Sequence, residues 1–367
     1  MADMKTVALV GCGGMGRQHL EVLRGLAGFE VIGVCDVLDE NLQRVAREYG
    51  IASWYTDFEE MYDALKPELV SVATQTRGHC APSVAALKRG ISVLCEKPIA
   101  IDLAEADEMV AAAAASGAKF AINQQNHLNP SIVRGRQMVE AGVIGDLVLV
   151  RGRNKCGRKS GNEFTEMGTH VTDMMLCFGG VPEWCSGTIY EGGRPVIVGD
   201  IMEAKQMSPG DRDSGLVAGS VAMGHYGFAG GGLGEIHFLG YQARDNSNFG
   251  VDVLGSEGQL AIRAAGDIQQ GLWHLPRPME GMPSDYGDWE AVDLGERAND
   301  NPIASMYQSV AAAIEQDTDP PGSGVEGRWA FEMVLGLYQS HREGGRRIDL
   351  PLSERRHPLE AWRAESP

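Results

Sequence analysis

The sequence predicts an α/β N-terminal domain built on a doubly wound parallel sheet, followed by an α+β C-terminal domain with a large open, mainly antiparallel sheet. Three observations predict this fold class. Strand and helix signals alternate over the first 120 residues, a glycine-rich turn follows the first strand, and beyond about residue 125 the pattern changes to period-two alternation with turn glycines. We place the boundary after residue 124, which gives domains 1–124 and 125–367.

The N-terminal part of this prediction depends on short apolar runs separated by amphipathic stretches. The runs are almost continuously apolar, which is typical of parallel strands covered on both faces. Because crossover connections are right-handed, few topologies other than the doubly wound sheet remain. The predicted strands are TVALVG, EVIGVCD, LVSVATQ, SVLCEKP and KFAINQQ, and the predicted helices are RQHLEVLRGL, NLQRVAREYG, APSVAALKRG and LAEADEMVAAAAASG.

The C-terminal part begins with a predicted amphipathic helix, PSIVRGRQMVEAGVIG, a long strand, DLVLVRGRNK, and a second helix through THVTDMMLCFGG. The strand-like runs that follow are VPEWCSGTIY, SGLVAGSVAMGHYGF, GLGEIHFLGYQA and NFGVDVLGSEGQLAIR. The glycines of GFAGGGLGE predict a hairpin turn rather than a phosphate-binding loop, because no helix follows them. Two helices, over residues 304–316 and 325–342, close the chain.

Composition argues against several classes of protein. Lys and Arg total 32 against 50 Asp and Glu, and a net charge of −18 argues against a nucleic-acid partner, which needs basic surface. The seven cysteines lack the close spacing of a metal site, so we expect reduced thiols and no bound metal. No apolar run approaches the roughly 18 residues of a spanning helix, and the N-terminus does not resemble a signal peptide. We therefore expect a cytoplasmic protein with no membrane partner.

The first motif is the glycine-rich turn in VALVGCGGMG, where Gly11, Gly13 and Gly16 have G-x-G-x-x-G spacing. It follows a predicted strand and opens a predicted helix, which is the context of a dinucleotide fingerprint in a Rossmann domain. The helix N-terminus would offer N–H groups and a positive dipole end to a pyrophosphate. Asp36 lies 20 residues after Gly16, at the end of the second strand, where a carboxylate accepts ribose hydroxyls and repels a ribose phosphate. This pattern favours NAD over NADP, and NADP is the alternative.

The second motif is Glu96, Lys97 and Pro98 in VLCEKPIA. It lies where a strand of the doubly wound sheet ends, and ligands bind outside the carboxyl ends of such strands. We therefore expect Lys97 to face the cofactor, with Pro98 restricting the backbone beside it.

The sequence resembles the Gfo/Idh/MocA family, the glucose–fructose oxidoreductase and inositol dehydrogenase-like proteins. The resemblance covers almost the whole chain and is carried by GCGGMG, VATQTRGHC, VLCEKPIA, VEAGVIGDLVLVRG, EMGTHVTD and GRWAFEMVLGLYQSHREGGRRIDLPL. It implies an NAD-binding Rossmann domain and a substrate-binding domain whose open antiparallel sheet commonly pairs with another subunit. It also implies oxidation of a sugar or polyol hydroxyl with a nicotinamide cofactor. We accordingly expect a homodimer or homotetramer formed through the C-terminal sheet.

The resemblance also implies roles for individual residues. The lysine of the E-K-P motif falls on Lys97, and the family's D-x-G-x-H segment falls on EMGTH, which puts His170 in place of the catalytic base. Glu166 stands where aspartate is common. Gln75 and Thr76 replace proline and asparagine in TQTRGH. The residues expected to be catalytic are Lys97, His170 and Glu166.

Binding residues are expected in both domains. The cofactor-binding set is Gly11, Gly13, Gly14, Met15, Gly16, Asp36, Thr74, Gln75, His79, Glu96, Lys97 and Gln125. The substrate-binding set is Lys97, Asn126, His127, Arg153, Thr169 and His170. Asn126 and His127 are included because NQQNHLNP occupies the place of a segment that commonly bears Arg and Tyr in the family.

These residues suit the oxidation of a secondary alcohol, which needs a base for the hydroxyl proton and an acceptor for the hydride. Histidine, with an unperturbed pKa of about 6.5, suits the base, so we assign that role to His170. Glu166, four residues earlier, would orient the ring, and Lys97 would hydrogen-bond the reacting oxygen. Lys97 and His170 are thus expected to converge from separate domains on one carbon.

Two other functions remain open. Some relatives use bound NAD transiently and oxidise a glycoside before elimination or hydrolysis, so such an enzyme would show turnover without net NADH. A non-catalytic protein that binds a dinucleotide or a sugar is the third possibility, and the presence of both Lys97 and His170 counts against it. His19, in the first predicted helix, is interpreted as a surface or packing histidine.

Overall fold

The computed structural model describes residues 4–154, 161–204, 213, 215–239, 249–264, 271–276, 288–295 and 301–365. The elements up to residue 125 are β1 (Lys5–Val10), α1 (Gly14–Gly25), β2 (Phe29–Cys35), α2 (Asp39–Tyr49), β3 (Trp54–Tyr55), α3 (Phe58–Leu65), β4 (Leu69–Val72), α4 (Cys80–Lys88), β5 (Ser92–Cys95), α5 (Leu103–Ser116) and β6 (Phe120–Ile122). The later elements are α6 (Pro130–Glu140), β7 (Leu147–Arg153), α7 (Gly161–Gly179), β8 (Pro182–Glu191), β9 (Arg194–Pro195), β10 (Met202–Glu203), β11 (Leu216–Val217), β12 (Val221–Phe228), β13 (Leu233–Leu239), β14 (Gly250–Gly255), β15 (Gly258–Arg263), β16 (Leu272–Pro276), β17 (Glu290–Ala291), α8 (Pro302–Gln316), α9 (Gly324–Arg342), β18 (Ile348–Asp349) and α10 (Pro358–Glu365).

The chain divides into two compact units. The first unit comprises Met1–Gln125, Arg212–Gly215 and Asn299–Arg328. The second unit comprises Asn126–Asp211, Leu216–Ala298 and Trp329–Pro367. A segment near the C-terminus is thus assigned to the first unit, and the single boundary after residue 124 stays a prediction.

The first unit contains a six-stranded parallel sheet in the order β3-β2-β1-β4-β5-β6. The strand order reverses between β1 and β4, as it does in a doubly wound Rossmann sheet. Strands β4 and β5 are buried along their whole length, which is typical of parallel strands covered on both faces. The fold class predicted for this part of the chain is therefore confirmed.

The carboxyl ends of four neighbouring strands lie in register in this sheet. Val10 pairs with Cys35 on one side and with Val72 on the other, and Val72 pairs with Cys95. The loops that follow these strands therefore open at the same edge of the sheet. These loops begin at residues 11, 36, 73 and 96.

The second unit contains one large sheet in the order β17-β16-β15-β14-β7-β13-β12-β8-β18, with β9 beside β8. Its pairs are antiparallel except that of β7 with β13, which is parallel. The predicted open, mainly antiparallel sheet is confirmed. The predicted hairpin in GFAGGGLGE is the turn between β12 and β13, where Gly231 and Gly232 have φ of +88° and +80°.

Helices α7 and α9 cover one face of the second sheet. A Cβ added to Gly152 on β7 would lie 2.6 Å from side-chain atoms of both Val171 and Met175 on α7. A Cβ added to Gly224 on β12 would lie 2.5 Å from Leu337 on α9. Glycine at these positions lets the helices approach the sheet backbone closely.

Residues that flank Gly152 point away from α7, so their side chains lie on the opposite face of the second sheet. This face carries ion pairs. Arg151 Nε lies 3.1 Å from Glu235 Oε2, and Arg153 Nε lies 2.7 Å from Asp252 Oδ2. This face is therefore at least partly polar.

The sequence does not predict several elements or element ends. Helix α3 is short, and its N-cap Asp57 accepts hydrogen bonds from the N–H groups of Glu59 and Glu60 at 2.7 and 3.0 Å, so a cap rather than periodicity marks its start. Helix α7 begins at Gly161 rather than Thr169, and α10 is not predicted. Parts of the predicted strands DLVLVRGRNK and GLGEIHFLGYQA lie outside the described residues. No helix in the described ranges is both long and apolar enough to cross a membrane.

Candidate active site

The glycine turn between β1 and α1 leaves space for a ligand along its backbone. Gly11 has a φ of +98°, and a Cβ there would lie 2.6 Å from the carbonyl carbon of Ala73. A Cβ at Gly16 would lie 1.8 Å from the carbonyl oxygen of Gly11, so α1 packs directly on the turn. No residue in the described part of the chain lies within 4 Å of the Cβ positions of Gly13 and Gly14, at the start of α1. An open helix N-terminus beside such a turn fits a pyrophosphate.

We expect Gly16→Ala to lower the free energy of unfolding by about 1–3 kcal/mol, because the new methyl group must push α1 away from Gly11. The same displacement is expected to weaken NADH binding by about tenfold. Gly25→Ala in the same helix is the matched control, because none of the described residues comes within 4 Å of its Cβ position. Urea unfolding and fluorescence titration with NADH measure the two effects. Equal behaviour of the two variants would contradict the tight packing at Gly16.

Asp36 follows β2 and is held by the main chain around it. Its Oδ2 accepts hydrogen bonds from the Cys12 N–H at 2.7 Å and from Asn41 Nδ2 at 3.3 Å, and its Oδ1 accepts one from the Leu38 N–H at 2.8 Å. Burial raises the pKa of the Cys12 thiol to about 12, with the charge of Asp36 as the next cause, so the thiol is protonated at neutral pH. A carboxylate fixed beside the glycine turn fits the ribose hydroxyls of a dinucleotide. The residues present therefore fit the predicted NAD.

The loop after β4 contacts a segment from later in the chain. Gln75 Oε1 accepts a hydrogen bond from the N–H of Asp213. Arg77 Nε lies 3.1 Å from Asp213 Oδ2, and the Arg77 N–H donates to the Asp213 carbonyl oxygen at 3.1 Å. Gln75 is one of the positions at which the sequence departs from the family pattern, and this contact gives its side chain a partner within the first unit.

His79 is buried, and both of its ring nitrogens face carbonyl oxygens. Nδ1 lies 2.9 Å from the oxygen of Pro98, and Nε2 lies 3.3 Å from that of Thr74. Met15 packs against the core, and Gln125 is half-buried three residues after the end of β6. Contacts of these residues with NAD stay predictions.

Glu96 follows β5, is buried, and contacts groups of the chain itself. Its Oε1 lies 3.0 Å from His19 Nε2 and accepts a hydrogen bond from Asn123 Nδ2 at 2.6 Å. Its Oε2 accepts one from the Lys97 N–H at 3.3 Å. The predicted contact of Glu96 with the cofactor stays a prediction. Lys97 is partly exposed at the carboxyl edge of the sheet.

The surroundings of Glu96 keep its carboxyl group ionised. Burial alone would raise its pKa, but the hydrogen bond and charge of His19, the charge of Lys97 and the amide of Asn123 together hold the pKa well below the ordinary value. A buried anion therefore lies at the end of β5, bonded to the main chain of Lys97.

Helix α7 of the second unit carries ionisable residues on one face. Glu166, His170 and Asp173 are spaced by four and three residues, which places them on successive turns. All three are buried, with exposed fractions of 3%, 6% and 0%. Thr169 is also buried, and its hydroxyl donates to the carbonyl oxygen of Glu166 at 3.1 Å. The spacing suits the expected orienting role of Glu166, and the catalytic roles on this helix stay predictions.

His127 and Asn126 begin the second unit and are both buried. His127 Nε2 lies 2.8 Å from Asp173 Oδ1 and 3.7 Å from Cys177 Sγ. Burial alone would lower the pKa of His127, but the charge and hydrogen bond of Asp173, together with Cys177, raise it well above the ordinary value. His127 thus belongs to a buried ion pair one helical turn from His170, which the sequence does not predict.

We expect His127→Gln to lower the free energy of unfolding by about 1–3 kcal/mol at acidic pH and by less at alkaline pH. The pKa of His127 is raised in the folded state, so its stabilising effect is complete below the ordinary pKa of about 6.5 and is lost as pH rises through the folded-state value. Urea unfolding of the two proteins across this pH range measures the difference. His225→Gln changes an exposed histidine, and we expect its free energy of unfolding to match that of wild type across this pH range. A pH-independent difference for His127→Gln would contradict the ion pair.

Among the predicted substrate-binding residues of the second unit, Arg153 lies on a different side of the sheet from His170. It points to the sheet face opposite α7, because its neighbour Gly152 contacts that helix. Its guanidinium pairs with Asp252 there. The structure therefore does not bring Arg153 together with His170 within this unit, and contact of Arg153 with a substrate stays a prediction.

Three residues around Glu96 and Lys97 are absent from the sequence-based site. His19 and Asn123 contact Glu96, and Tyr307 of α8 lies 2.7 Å from His19 Nδ1. His19 was recognisable as a buried position, since it falls on the same face of α1 as Leu20 and Leu23. No local pattern points to Tyr307, which follows His19 by 288 residues.

Residues 5–124 match the model of the GFO_IDH_MocA family, described as an oxidoreductase family with an NAD-binding Rossmann fold. The match covers the part of the chain that forms the six-stranded parallel sheet, and that part belongs to this family. The protein is an oxidoreductase, and NAD is its cofactor. The resemblance, the fold class and the cofactor predicted from the sequence are confirmed.

Several proteins of named activity are similar to this chain. D-Apiose dehydrogenase from Paraburkholderia graminis is 24% identical and covers 96% of this chain and 91% of its own. The 2,7-anhydro-N-acetylneuraminate hydratase from Mediterraneibacter gnavus is 29% identical over an aligned part that covers 49% of this chain and 51% of the hydratase. Levoglucosan dehydrogenase, in a structure with NADH and levoglucosan, shares the fold with a TM-score of 0.76 and 18% identity, over 95% of this chain and 100% of its own.

Proposed function

We propose that this protein oxidises a secondary hydroxyl of a sugar, cyclic polyol or glycoside, with NAD as the hydride acceptor. The observation that carries the proposal is the register of the first sheet, in which the strands leading into the glycine turn and into Lys97 end at the same edge. A lysine at the cofactor edge of a Rossmann sheet is placed to meet a polar atom beside the dinucleotide. The dehydrogenases of apiose and levoglucosan support the same class of substrate.

Three residues are proposed to carry the chemistry. His170 takes the hydroxyl proton as general base, and Glu166 orients its ring from one helical turn away. Lys97 stabilises the substrate oxygen as the proton leaves. NAD, when bound, supplies the acceptor for the hydride from the same carbon. The glycine turn and Asp36 hold the dinucleotide, and the charge of Asp36 disfavours NADP.

The remaining predicted binding residues keep their proposed assignments. The cofactor side includes Met15, Thr74, Gln75, His79, Glu96 and Gln125. The substrate side includes Asn126, His127, Arg153 and Thr169. The burial of His127 and the orientation of Arg153 favour indirect roles for these two.

A panel of sugars, inositols and glycosides, assayed with NAD and with NADP in parallel, tests the proposal. We expect NADH to form with at least one member and to form faster than NADPH. Lys97→Met is the companion variant, since it removes the ammonium group and is expected to abolish turnover. Failure of the wild-type protein on the whole panel, with NADH binding intact, would overturn the proposed function.

One relative favours a second candidate function, because it is named as a hydratase. In such an enzyme NAD would be reduced and reoxidised within one turnover, so substrate would disappear without net NADH. Product analysis by chromatography, run beside the absorbance assay, separates the two functions. A product without NADH indicates transient oxidation, and equal amounts of both indicate a dehydrogenase.

We also propose that the sheet face opposite α7 pairs with a second copy of the chain in a homodimer or homotetramer. Met223 and Leu233 lie on that face and are 43% and 52% exposed. Exposed apolar side chains on a broad sheet face are typical of a subunit interface. Light scattering measures the mass in solution, and a monomer would contradict this proposal.

A location in the cytoplasm is proposed from the cysteines. Cys12, Cys35, Cys80, Cys95, Cys177 and Cys185, the six in the described part of the chain, are free thiols. Free thiols are typical of reducing compartments. Fractionation of the source cells tests the location.

A further inference from the structure

A buried polar cluster lies beside Lys97 in the first unit. We name it the His19 cluster, and its members are His19 of α1, Ser71 of β4, Glu96 after β5, Asn123 after β6 and Tyr307 of α8. All are at most 2% exposed. Buried polar groups destabilise a fold unless their hydrogen bonds are satisfied, and satisfied networks hold their members rigidly. The cluster therefore fixes geometry at the edge of the sheet where Lys97 lies.

His19 is the centre of the cluster. Its Nδ1 lies 2.7 Å from Tyr307 Oη and 3.2 Å from Ser71 Oγ, and the Tyr307 hydroxyl donates to Ser71 Oγ at 2.8 Å. Its Nε2 lies 3.0 Å from Glu96 Oε1. An ionised carboxylate only accepts hydrogen bonds. His19 Nε2 therefore carries the hydrogen atom and donates a hydrogen bond to Glu96. The hydroxyl groups on the other side of the ring hold the imidazole in the orientation that this bond needs.

Glu96 extends the constraint to Lys97. Its second oxygen accepts a hydrogen bond from the Lys97 N–H at 3.3 Å. On the other side of Lys97, the carbonyl oxygen of Pro98 lies 2.9 Å from His79 Nδ1. Two buried histidines therefore hold the main chain around Lys97, His79 directly and His19 through a carboxylate.

We propose that His19 is a positioning residue for Lys97 and acts through Glu96. By donating to one carboxylate oxygen, His19 keeps the other oxygen aimed at the Lys97 N–H, which fixes the point from which the flexible lysine side chain extends. The inference rests on the proposed function, because that function gives Lys97 its role in the reaction. A displacement of about 1 Å at a reacting group can lower turnover about 100-fold.

The charge state of Glu96 depends on the groups that face it. The titratable ones are His19 on α1, Cys95 at the end of β5, Lys97, and Tyr307 on α8. Loss of His19 removes the partner that contributes most to lowering the pKa of Glu96, so that pKa rises. In a variant without His19, acidification would then protonate Glu96 and weaken its bond to Lys97. The wild-type carboxylate stays ionised under the same conditions.

The experiment compares His19→Leu, His19→Gln and a control, Tyr62→Phe. Leucine removes the donor to Glu96, whereas the glutamine amide can replace Nε2 as a donor. Tyr62→Phe removes a different buried hydrogen bond of the first unit, from Tyr62 to the Pro82 carbonyl oxygen at 3.2 Å. We expect kcat of His19→Leu to fall about 10- to 100-fold, with KM for NAD within about threefold of wild type. His19→Gln is expected to recover most of kcat, and Tyr62→Phe to keep all of it.

The pH profile of kcat is the second readout, because a merely structural role would not change it. His19→Leu is expected to lose further activity on acidification, beyond the loss seen in wild type, and His19→Gln is expected to lose less. A kcat of His19→Leu within about twofold of wild type overturns the proposal. So does an equal fall in His19→Leu and Tyr62→Phe with unchanged pH profiles.

Hydrogen exchange of the Lys97 amide is the third readout and needs no substrate. It is followed by mass spectrometry of a peptide that contains Lys97, and faster exchange in His19→Leu than in Tyr62→Phe supports positioning. Equal exchange overturns it. Should His19→Leu fail to fold, Glu96→Gln replaces it, since this change removes the charge and keeps the shape. If wild type oxidises no member of the substrate panel, the proposed function fails, and the exchange rates still decide whether His19 positions Lys97.

Discussion

Replacing His170 with alanine is expected to lower kcat about 10²–10⁴-fold, because the hydroxyl proton of the substrate loses its acceptor. Binding of NADH is expected to stay nearly unchanged. His170 belongs to the second unit, whereas the glycine turn and Asp36, which fit the dinucleotide, belong to the first. Steady-state kinetics at saturating substrate and fluorescence titration with NADH measure the two quantities.

Two further variants sharpen the His170 result. Glu166→Gln keeps the shape of the side chain and removes its charge, so we expect a smaller fall in kcat than for His170→Ala. His225→Ala changes an exposed histidine on β12 and is expected to keep the wild-type kcat. Full turnover by His170→Ala would show that another group accepts the proton.

Replacing Arg355 with alanine is expected to lower the free energy of unfolding by about 3–5 kcal/mol, because it removes the cation from beside a buried carboxylate. That carboxylate belongs to Glu332 on α9, whose side chain is 0% exposed. Arg355 Nη1 lies 2.8 Å from Glu332 Oε1, and the Leu352 N–H donates to the same oxygen at 2.7 Å. Urea unfolding at neutral pH measures the loss.

The neighbouring arginine provides the control for Arg355. Arg356 pairs with Glu354 at 2.7 Å, but the two side chains are 58% and 39% exposed. Water and salt screen such a pair, so Arg356→Ala is expected to keep the wild-type stability. Similar losses in the two variants would show that burial of Glu332 does not set the effect.

Local sequence patterns predict most of the fold, and longer-range pairing explains what they miss. Apolar runs and glycine stops mark β1, β2, β4, β5 and β6, because a parallel strand covered on both faces must be apolar throughout. The place of β7, parallel to β13 and antiparallel to β14, has no local signal. The partners of β7 lie about a hundred residues away, and only the packed sheet brings them together.

The candidate site also contains residues that local sequence predicts and partners that only tertiary packing brings to them. The glycine turn, Asp36 and Lys97 are predictable because their chemistry depends on a strand end and the residues next to it. The partners of these residues are not, since Tyr307 reaches His19 and Asp173 reaches His127 only through tertiary packing. The direction of the Arg153 side chain is not predictable from the sequence either. Side chains alternate along a strand, so the direction is known only once the structure shows that the neighbour, Gly152, faces α7.

The assignment of α8 to the first unit has a consequence for biosynthesis. Helix α8 ends at Gln316, and Tyr307 within it completes the hydrogen bonds of His19 and Ser71. The ribosome must therefore synthesise the chain at least to the end of α8 before the first unit can fold completely. Ile303, Met306 and Val310 of α8 are buried in the completed fold, so a nascent chain that still lacks α8 leaves apolar surface exposed. A fragment that ends at residue 124 would lack α8, and His19 in it would have no Tyr307 partner.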